Sequence, residues 1–131
     1  MKYEKSCGSI IIFNEEVLII KQNNGDYGFP KGHMEKGETE IETAFRETKE
    51  EVNLNVVLDE NRRYMITYKV NDNIIKDVVY FVGTISDKNN FKIDKNELKD
   101  AFFVKKEEVI NILTHNNLKE LWNNVLGDMQ K

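Results

Sequence analysis

Glu47, Glu50 and Glu51 stand at i, i+3 and i+4 inside the stretch GHMEKGETEIETAFRETKEEVNL, Gly32 to Leu54, which holds seven glutamates in 23 residues. Apolar residues recur through the same stretch at helical spacing. On a wheel of about 100° per residue with Glu47 at zero, Glu50 falls at about −60° and Glu51 at about +40°. Ile41, Ala44, Phe45, Thr48 and Val52 gather between about 60° and 160°. The acidic stripe is therefore expected directly beside the buried stripe of the helix rather than opposite it.

That arrangement is unfavourable by itself. Like charges at these spacings repel by a few tenths of a kcal/mol per pair when exposed, and partial burial weakens the screening. The stripe also lies in the last turns, where the helix dipole disfavours anions. A cation would offset all three penalties. Hard oxygen ligands of high negative charge suit Mg²⁺ or Mn²⁺, and no cluster of Cys or His competes for a softer metal. Magnesium usually shares carboxylates with substrate phosphates, so a phosphate-bearing substrate follows naturally. A second reading stays open at this point: the chain has 15 glutamates, and the stripe could be a solvated helix face.

Positioning the stripe requires a capped helix, a shaped loop and a sheet. Thr39 can cap a helix running to about Val52, with Glu42 as its capping-box partner, and Asn53 can end it in a left-handed conformation. The preceding NNGDYGFPKGHMEKGE reads as a structured loop. Pro30 fixes its own φ and pushes Phe29 toward extended backbone, and Gly28, Gly32 and Gly37 allow tight paths. SCGSIIIF and EVLIIKQ read as strands joined by Asn14-Glu15-Glu16. Downstream, LNVVLDE, RRYMITYKV and IIKDVVYFVGTI read as three strands, the last two joined by a VNDN hairpin turn. DKNNFKIDKNE is a polar loop and KDAFFV a short strand. Lys106 to Gln130 gives one or two amphipathic helices with Ile110, Leu113, Leu118, Leu121, Trp122 and Val125 inward. There is no repeat, linker or low-complexity tract.

The 131 residues suit one domain, 1–131, with a single core. The net charge of −4 gives no general attraction for DNA, RNA or anionic membrane, so no DNA or membrane partner is expected. Cys7 is the only cysteine, which excludes an internal disulfide and a Cys-based zinc site. MKYEKSCGSIIIF has too short an apolar run for a signal peptide, and no segment nears the roughly 20 apolar residues of a membrane span. A cytoplasmic protein is the expectation. Oligomeric state is not legible.

The spacing of Gly32, Glu38, Arg46-Glu47 and Glu50-Glu51 resembles the signature of the Nudix hydrolases. Six such positions would coincide by chance in about one comparable sequence in 10⁴ to 10⁵. Two positions depart from the family pattern: Thr48 stands where an aliphatic residue is favoured, and Asn53 where glycine is. The resemblance implies an α/β/α sandwich around a mixed β-sheet, an α+β fold, and hydrolysis of a diphosphate bond in a nucleoside diphosphate linked to another group. It implies Glu47, Glu50 and Glu51 as ligands of Mg²⁺ or Mn²⁺, with the carbonyl of Lys31 as an extra ligand. Glu38 and Arg46 would brace the helix against its loop, and Gly32 would permit the loop's path. Metal at such a site would offset carboxylate and phosphate charge and acidify a bound water.

FPKGHMEKGE with ETAFRETKEE resembles, more narrowly, the asymmetrical diadenosine tetraphosphate hydrolases. That likeness implies Lys31 and His33 on the polyphosphate, and ATP and AMP as products. Glu97, ahead of AFFV, would be a further metal ligand, a general base, or simply a surface glutamate. Tyr80 would stack on adenine or belong to the core, and Tyr27 and Phe29 are candidates for lining a base pocket. Trp122 and Cys7 read as core, and His115 as a turn residue with no partner in view.

Three other functions remain to be weighed. One is a Nudix enzyme acting on nucleoside triphosphates or on 5′ triphosphate ends of RNA, for which Lys31, Lys36, Arg62 and Arg63 are the nearby cations. Another is a non-catalytic nucleotide sensor, which predicts damaged signature acids where this chain has all of them. The last is a structural module, against which the signature spacing argues.

Overall fold

Runs of β-branched and apolar residues build the centre of the molecule, and the two amphipathic helical stretches cover its faces. The computed structural model describes residues 1–130. In chain order the elements are β1 (Lys2–Phe13), β2 (Glu16–Gln22), β3 (Tyr27–Gly28), β4 (Lys31–His33), α1 (Glu40–Val52), β5 (Val57–Asn71), β6 (Ile74–Thr84) and β7 (Leu98–Lys105). A 3₁₀ turn (Lys106–Glu108), α2 (Val109–Ile112) and α3 (Asn116–Met129) follow. The sheet runs β3-β2-β1-β6-β5, with β4 also on β1 and β7 on β2. Strands β1 and β6 pair in parallel and the remaining pairs are antiparallel, so the sheet is mixed.

Alternation along β1 and β6 sorts their side chains between two layers. Cys7, Val79 and Phe81 pack with Ala44 of α1 on one face, and Ile11 joins Val52, Leu54 and Leu98 there. Ile10, Val78, Val82 and Phe29 meet Leu118, Trp122 and Val125 of α3 on the other. Helices thus cover both faces of a mixed sheet, the sandwich expected from the sequence. Among the described residues no helix is long and apolar enough to cross a membrane.

Several local expectations change. Asn14 and Glu15 alone make the first turn, both at positive φ (51° and 68°), and Glu16 already belongs to β2. The expected strands 54–60 and 62–70 are one strand, β5, with register shifts against β6 between Leu58 and Arg63 and between Lys69 and Asn71. Leu54 and Val56 precede it as buried core residues. Near the C-terminus Val109 is fully buried, Ile110 is partly buried against the same core, and Leu113, Leu118, Leu121, Trp122 and Val125 are inward as read.

The correction to α1 bears most on the site. Its buried residues are Thr43, Ala44, Thr48, Glu51 and Val52, whereas Phe45 is 42% exposed. The core-facing arc is rotated toward the acids, so Glu51 lies inside it instead of alongside. Thr48 suits this packing through its hydroxyl: Oγ1 donates to the Ala44 carbonyl at 2.8 Å and lies 2.6 Å from Ser9 Oγ on β1.

Candidate active site

The loop between β4 and α1 is shaped by its glycine and its cap. Gly37 turns at φ +87°, a region in which a side chain is strained. Thr39 then starts the helix with a reciprocal capping box: its side chain accepts from Glu42 N–H at 3.2 Å, and Glu42 Oε1 accepts from Thr39 N–H at 2.9 Å. Asn53 closes the helix in the left-handed conformation and donates from Nδ2 to the Asn90 carbonyl at 2.9 Å. These ends fix both the position and the rotation of the acidic face.

Arg46 ties that face to its loop. Its Nε and Nη2 donate to Glu38 Oε2 and Oε1 at 2.7 and 3.0 Å, a two-pronged contact, and Nη2 also reaches the His33 carbonyl at 3.0 Å. Nη1 donates to Glu47 at 2.8 Å and to Glu50 at 3.3 Å. Glu38 further accepts from Glu35 N–H and Thr43 Oγ1, each at 2.9 Å. The Arg46 hydrogen bond, then the Glu35 amide, hold the Glu38 carboxyl down to about 2.

The three acids of the stripe lie in different surroundings. Glu50 has 52% of its side chain exposed, Glu47 14%, and Glu51 is 6% exposed as a residue. Burial, then the neighbouring Glu47 charge, pushes Glu51 up to about 8, against the pull of the Lys31 N–H that donates to its Oε1 at 3.1 Å. Burial also raises Glu47, opposed by Arg46. Glu97 adds negative charge to both from the loop before β7, where Asn23 Nδ2 holds its carbonyl at 3.2 Å. Gly32 passes directly over Glu47, and a Cβ at Gly32 would overlap the Glu47 carboxylate.

These residues suit a hard divalent cation in chemistry: they offer oxygen only, and a buried carboxylate whose ionised form is disfavoured is what a cation would relieve. The cage is not ready-made. Among the described residues no three acidic, Cys or His side chains already converge on one point, and Arg46 bridges Glu47 and Glu50.

Lys31 joins this acidic cleft to a second space. Its side chain borders both a cleft of about 300 Å³ with Glu51, Glu97, Asn23 and Asn24, and a cavity of about 460 Å³ on the α3 face. Burial, then the charge of Lys76, lowers Lys31 to about 8. The larger cavity is walled by Tyr27, Tyr68, Ile66, Asn117 and Leu118, with His115 and Asp26 also on its lining.

The structure brings Lys31, Glu47, Glu51 and Glu97 together and puts Tyr27 on the adjoining cavity. His33 ends β4 on an exposed position, and its contact with the site is through its carbonyl. Tyr80 is a core residue, 1% exposed and edge-on to Phe29 at 5.6 Å, and it also borders the cavity on the α3 face. The expectation for Phe29 fails. Phe29 is fully buried against Tyr80 and Trp122 and lines no pocket wall of its own. His115 does have a partner: its Nε2 lies 2.7 Å from Asp26 Oδ2. Lys76, Tyr68 and Asn117 were not singled out from the sequence. Lys76 had a legible signal, a charged residue on the inward parity of the apolar strand IIKDVVYFVGT; it is 8% exposed, opposite Tyr68.

Comparison with known proteins gives a consistent picture. The family model described as NUDIX domain matches residues 3–123. Nudix hydrolase 3 of Caenorhabditis elegans is 28% identical over 106 residues, which is 76% of this chain and 42% of that protein. The asymmetrical bis(5′-nucleosyl)-tetraphosphatase of Sus scrofa is 32% identical over 98 residues, 63% of this chain and 66% of that protein. The chain thus spans less than two thirds of either relative's length. Among solved structures, a C. elegans Ap4A hydrolase binary complex superposes with a TM-score of 0.85 at 22% identity, over 97% of this chain and 98% of that one. A NUDIX hydrolase from Nitrosomonas europaea gives 0.79 at 21% identity, over 99% and 73%. At such identities the likeness is one of fold.

Proposed function

The chain belongs to the NUDIX family, and from that membership we propose that it hydrolyses a diphosphate bond in a nucleotide, with a dinucleoside polyphosphate as its substrate. The observation that carries this reading is the juxtaposition of Glu51 and Glu97 with Lys31 at one cleft, with the charge of Glu47 acting on Glu51 beside it. A polyphosphate needs negative ligands for a neutralising ion and a fixed cation for the phosphates beyond it, and this cleft offers both.

Glu47, Glu50 and Glu51 are assigned as the residues that would hold Mg²⁺ or Mn²⁺, with the Lys31 carbonyl beside them. The ion would supply charge neutralisation and a more acidic water. For Glu47 and Glu50 to serve, Arg46 must release their carboxylates while keeping its two bonds to Glu38. The fork is therefore the lasting anchor, and Nη1 the arm that lets go. Lys31, with Lys76 behind it, faces the phosphate chain; His33 is assigned to the same chain from the loop end. Glu97 is the remaining carboxylate at the cleft and has no ion pair among the described residues. Attack of water on an end phosphate of diadenosine tetraphosphate would break one anhydride bond and release AMP and ATP. The relative from Sus scrofa, named an asymmetrical tetraphosphatase, supports that substrate class.

One observation favours a second substrate class, RNA 5′ triphosphate ends. Lys49, Lys92 and Lys95 border a shallow depression with Glu50 on the exposed side of α1, a basic rim that an RNA strand could follow. A substrate panel decides: dinucleoside polyphosphates, nucleoside triphosphates, ADP-ribose and triphosphorylated RNA are incubated with pure protein and Mg²⁺ or Mn²⁺, and products are separated by chromatography. Cleavage of diadenosine tetraphosphate to ATP and AMP at the highest kcat/KM is the expected result. Cleavage of none of them would overturn the enzymatic reading.

A further inference from the structure

A helix leaves its last carbonyls without donors of its own, and α1 meets them with the loop between β6 and β7. Lys92 N–H donates to the Val52 carbonyl at 3.0 Å, and Asp94 N–H to the Glu51 carbonyl at 2.9 Å. Asn53 adds a third bond from its side chain, Nδ2 to the Asn90 carbonyl at 2.9 Å. That contact fixes which way the amide points, because a flipped Asn53 would set Oδ1 against another acceptor. Phe91 and Ile93 seat the same loop on the core around Val52 and Leu54, with Phe91 edge-on to Phe103 at 5.5 Å.

The loop so fastened carries Glu97. Asp94, bonded to Glu51 through its N–H, accepts from Glu97 N–H at 3.0 Å, so two backbone hydrogen bonds link the two acids through one residue. Glu51 and Glu97 border the same cleft, and the Glu97 charge acts on Glu51. Asn53 itself is left-handed, with φ 57° and ψ 37°. Glycine adopts that conformation freely; asparagine also tolerates it and brings a donor that glycine lacks. Ending the helix does not need this donor, because the backbone N–H of Asn53 already reaches the Lys49 carbonyl at 3.0 Å. Its side chain is spent on the loop instead. Resting on the reading above that Glu97 belongs to the acidic cleft for a divalent cation, we propose that Asn53 is a positioning residue: its amide clamps the β6–β7 loop to the end of α1 and so keeps Glu97 beside Glu51.

Hydrogen exchange tests the clamp and metal binding tests what it holds. Exchange of the Lys92 and Asp94 amides, read by NMR on the full chain, should be about fivefold faster in Asn53→Gly, the effect of losing one hydrogen bond of ordinary net worth. That variant keeps the left-handed turn, so the helix end stays intact. Asn53→Asp, which tolerates the same turn and lacks the donor, should speed exchange likewise. Calorimetric titration with Mn²⁺ follows, without substrate. Glu97→Gln should weaken Mn²⁺ binding by at least about tenfold, and Asn53→Gly by about threefold to fivefold. In the Glu97→Gln background, Asn53→Gly should weaken it no further, because a residue that acts through another is not additive with it. Unchanged exchange, Mn²⁺ binding indifferent to either substitution, or an Asn53→Gly loss of equal size with and without Glu97 overturns the assignment. Protein that shows this coupling yet cleaves no substrate would overturn the proposed reaction and leave Asn53 as the clamp of a cation site.

Discussion

The backbone N–H of Lys31 donates to Glu51 Oε1 at 3.1 Å, so the loop strand β4 and the buried acid of α1 are joined at the point where the two most perturbed groups of the cleft meet. Lys31 is lowered to about 8 and Glu51 raised to about 8, each chiefly by burial. Each is poorly solvated in its charged form, and each charge partly relieves the other.

For the metal-free protein, stability should fall as pH rises from about 5 to 8. Glu51 has a folded pKa of about 8 against an ordinary 4.5, so the folded state binds the extra proton across that window. Stability is then fully present below the unfolded value and is lost as pH climbs through the folded one. Lys31 acts with the opposite sign, its folded value lying below 10.5, but only above pH 8. Melting temperatures in EDTA at pH 5.5 and 8 should differ more for wild type than for Glu51→Gln, and the variant should be the more stable of the two at pH 8. Identical pH dependence in both proteins would contradict the buried, proton-holding Glu51.

Replacing Arg46 by Lys should keep the charge and lose the fork. A single ammonium cannot donate in parallel to both oxygens of Glu38 while also reaching the His33 carbonyl. Supporting contacts of this type typically cost about 10–100-fold in activity or metal affinity when removed. Arg46→Lys should therefore lower kcat/KM by about that factor, with the Mn²⁺ concentration for half-maximal activity raised. Wild-type kinetics at limiting metal would show the fork to be dispensable.

Gly32→Ala tests a purely steric role. Gly32 is not at positive φ, so backbone strain is not the issue. The added methyl would overlap the Glu47 carboxylate. Glu47 must swing away, which costs it both Arg46 and its place at the cleft. The expected outcome is a folded protein, by circular dichroism, with turnover reduced by at least about 100-fold, since misplacement of about 1 Å at a reacting centre has that effect. Near-normal turnover would mean that Glu47 is not needed where it sits.

Much of this site was legible in the sequence, for reasons that differ between residues. The capping box of Thr39 and Glu42 and the left-handed Asn53 are local chemistry, readable from a few neighbouring residues. The Glu38–Arg46 fork was legible only through the signature's spacing. What escaped depended on tertiary rotation or long-range contact. The wheel could not say that α1 turns far enough to bury Glu51 and expose Phe45, because that rotation is set by Cys7, Ser9, Val79 and Phe81 of the sheet. Asp26 and His115 are 89 residues apart, and Tyr68 meets Lys76 only through the β5–β6 register. Tyr80 was ambiguous because an aromatic on an alternating strand faces the core or a ligand with equal sequence logic, and here α3 and Phe29 enclose it.

Lys31→Met separates recognition from folding at the centre of the site. The ammonium is held in surroundings that disfavour its charge, next to Lys76 and with no carboxylate ion pair among the described residues. A neutral side chain of similar length removes that penalty, so the melting temperature at pH 7 should equal or exceed that of wild type. The phosphate chain would lose one charge-assisted bond, worth about 1.5–3 kcal/mol, or about 10–100-fold in kcat/KM. Loss of the cation should also raise Glu51 further, because the Lys31 charge, after the Lys31 N–H, is what holds it down. The pH dependence of metal-free stability should then extend to higher pH than in wild type. A lower melting temperature with unchanged kinetics would make Lys31 a structural lysine, and the cleft would lose the cation on which its reading as a polyphosphate site depends.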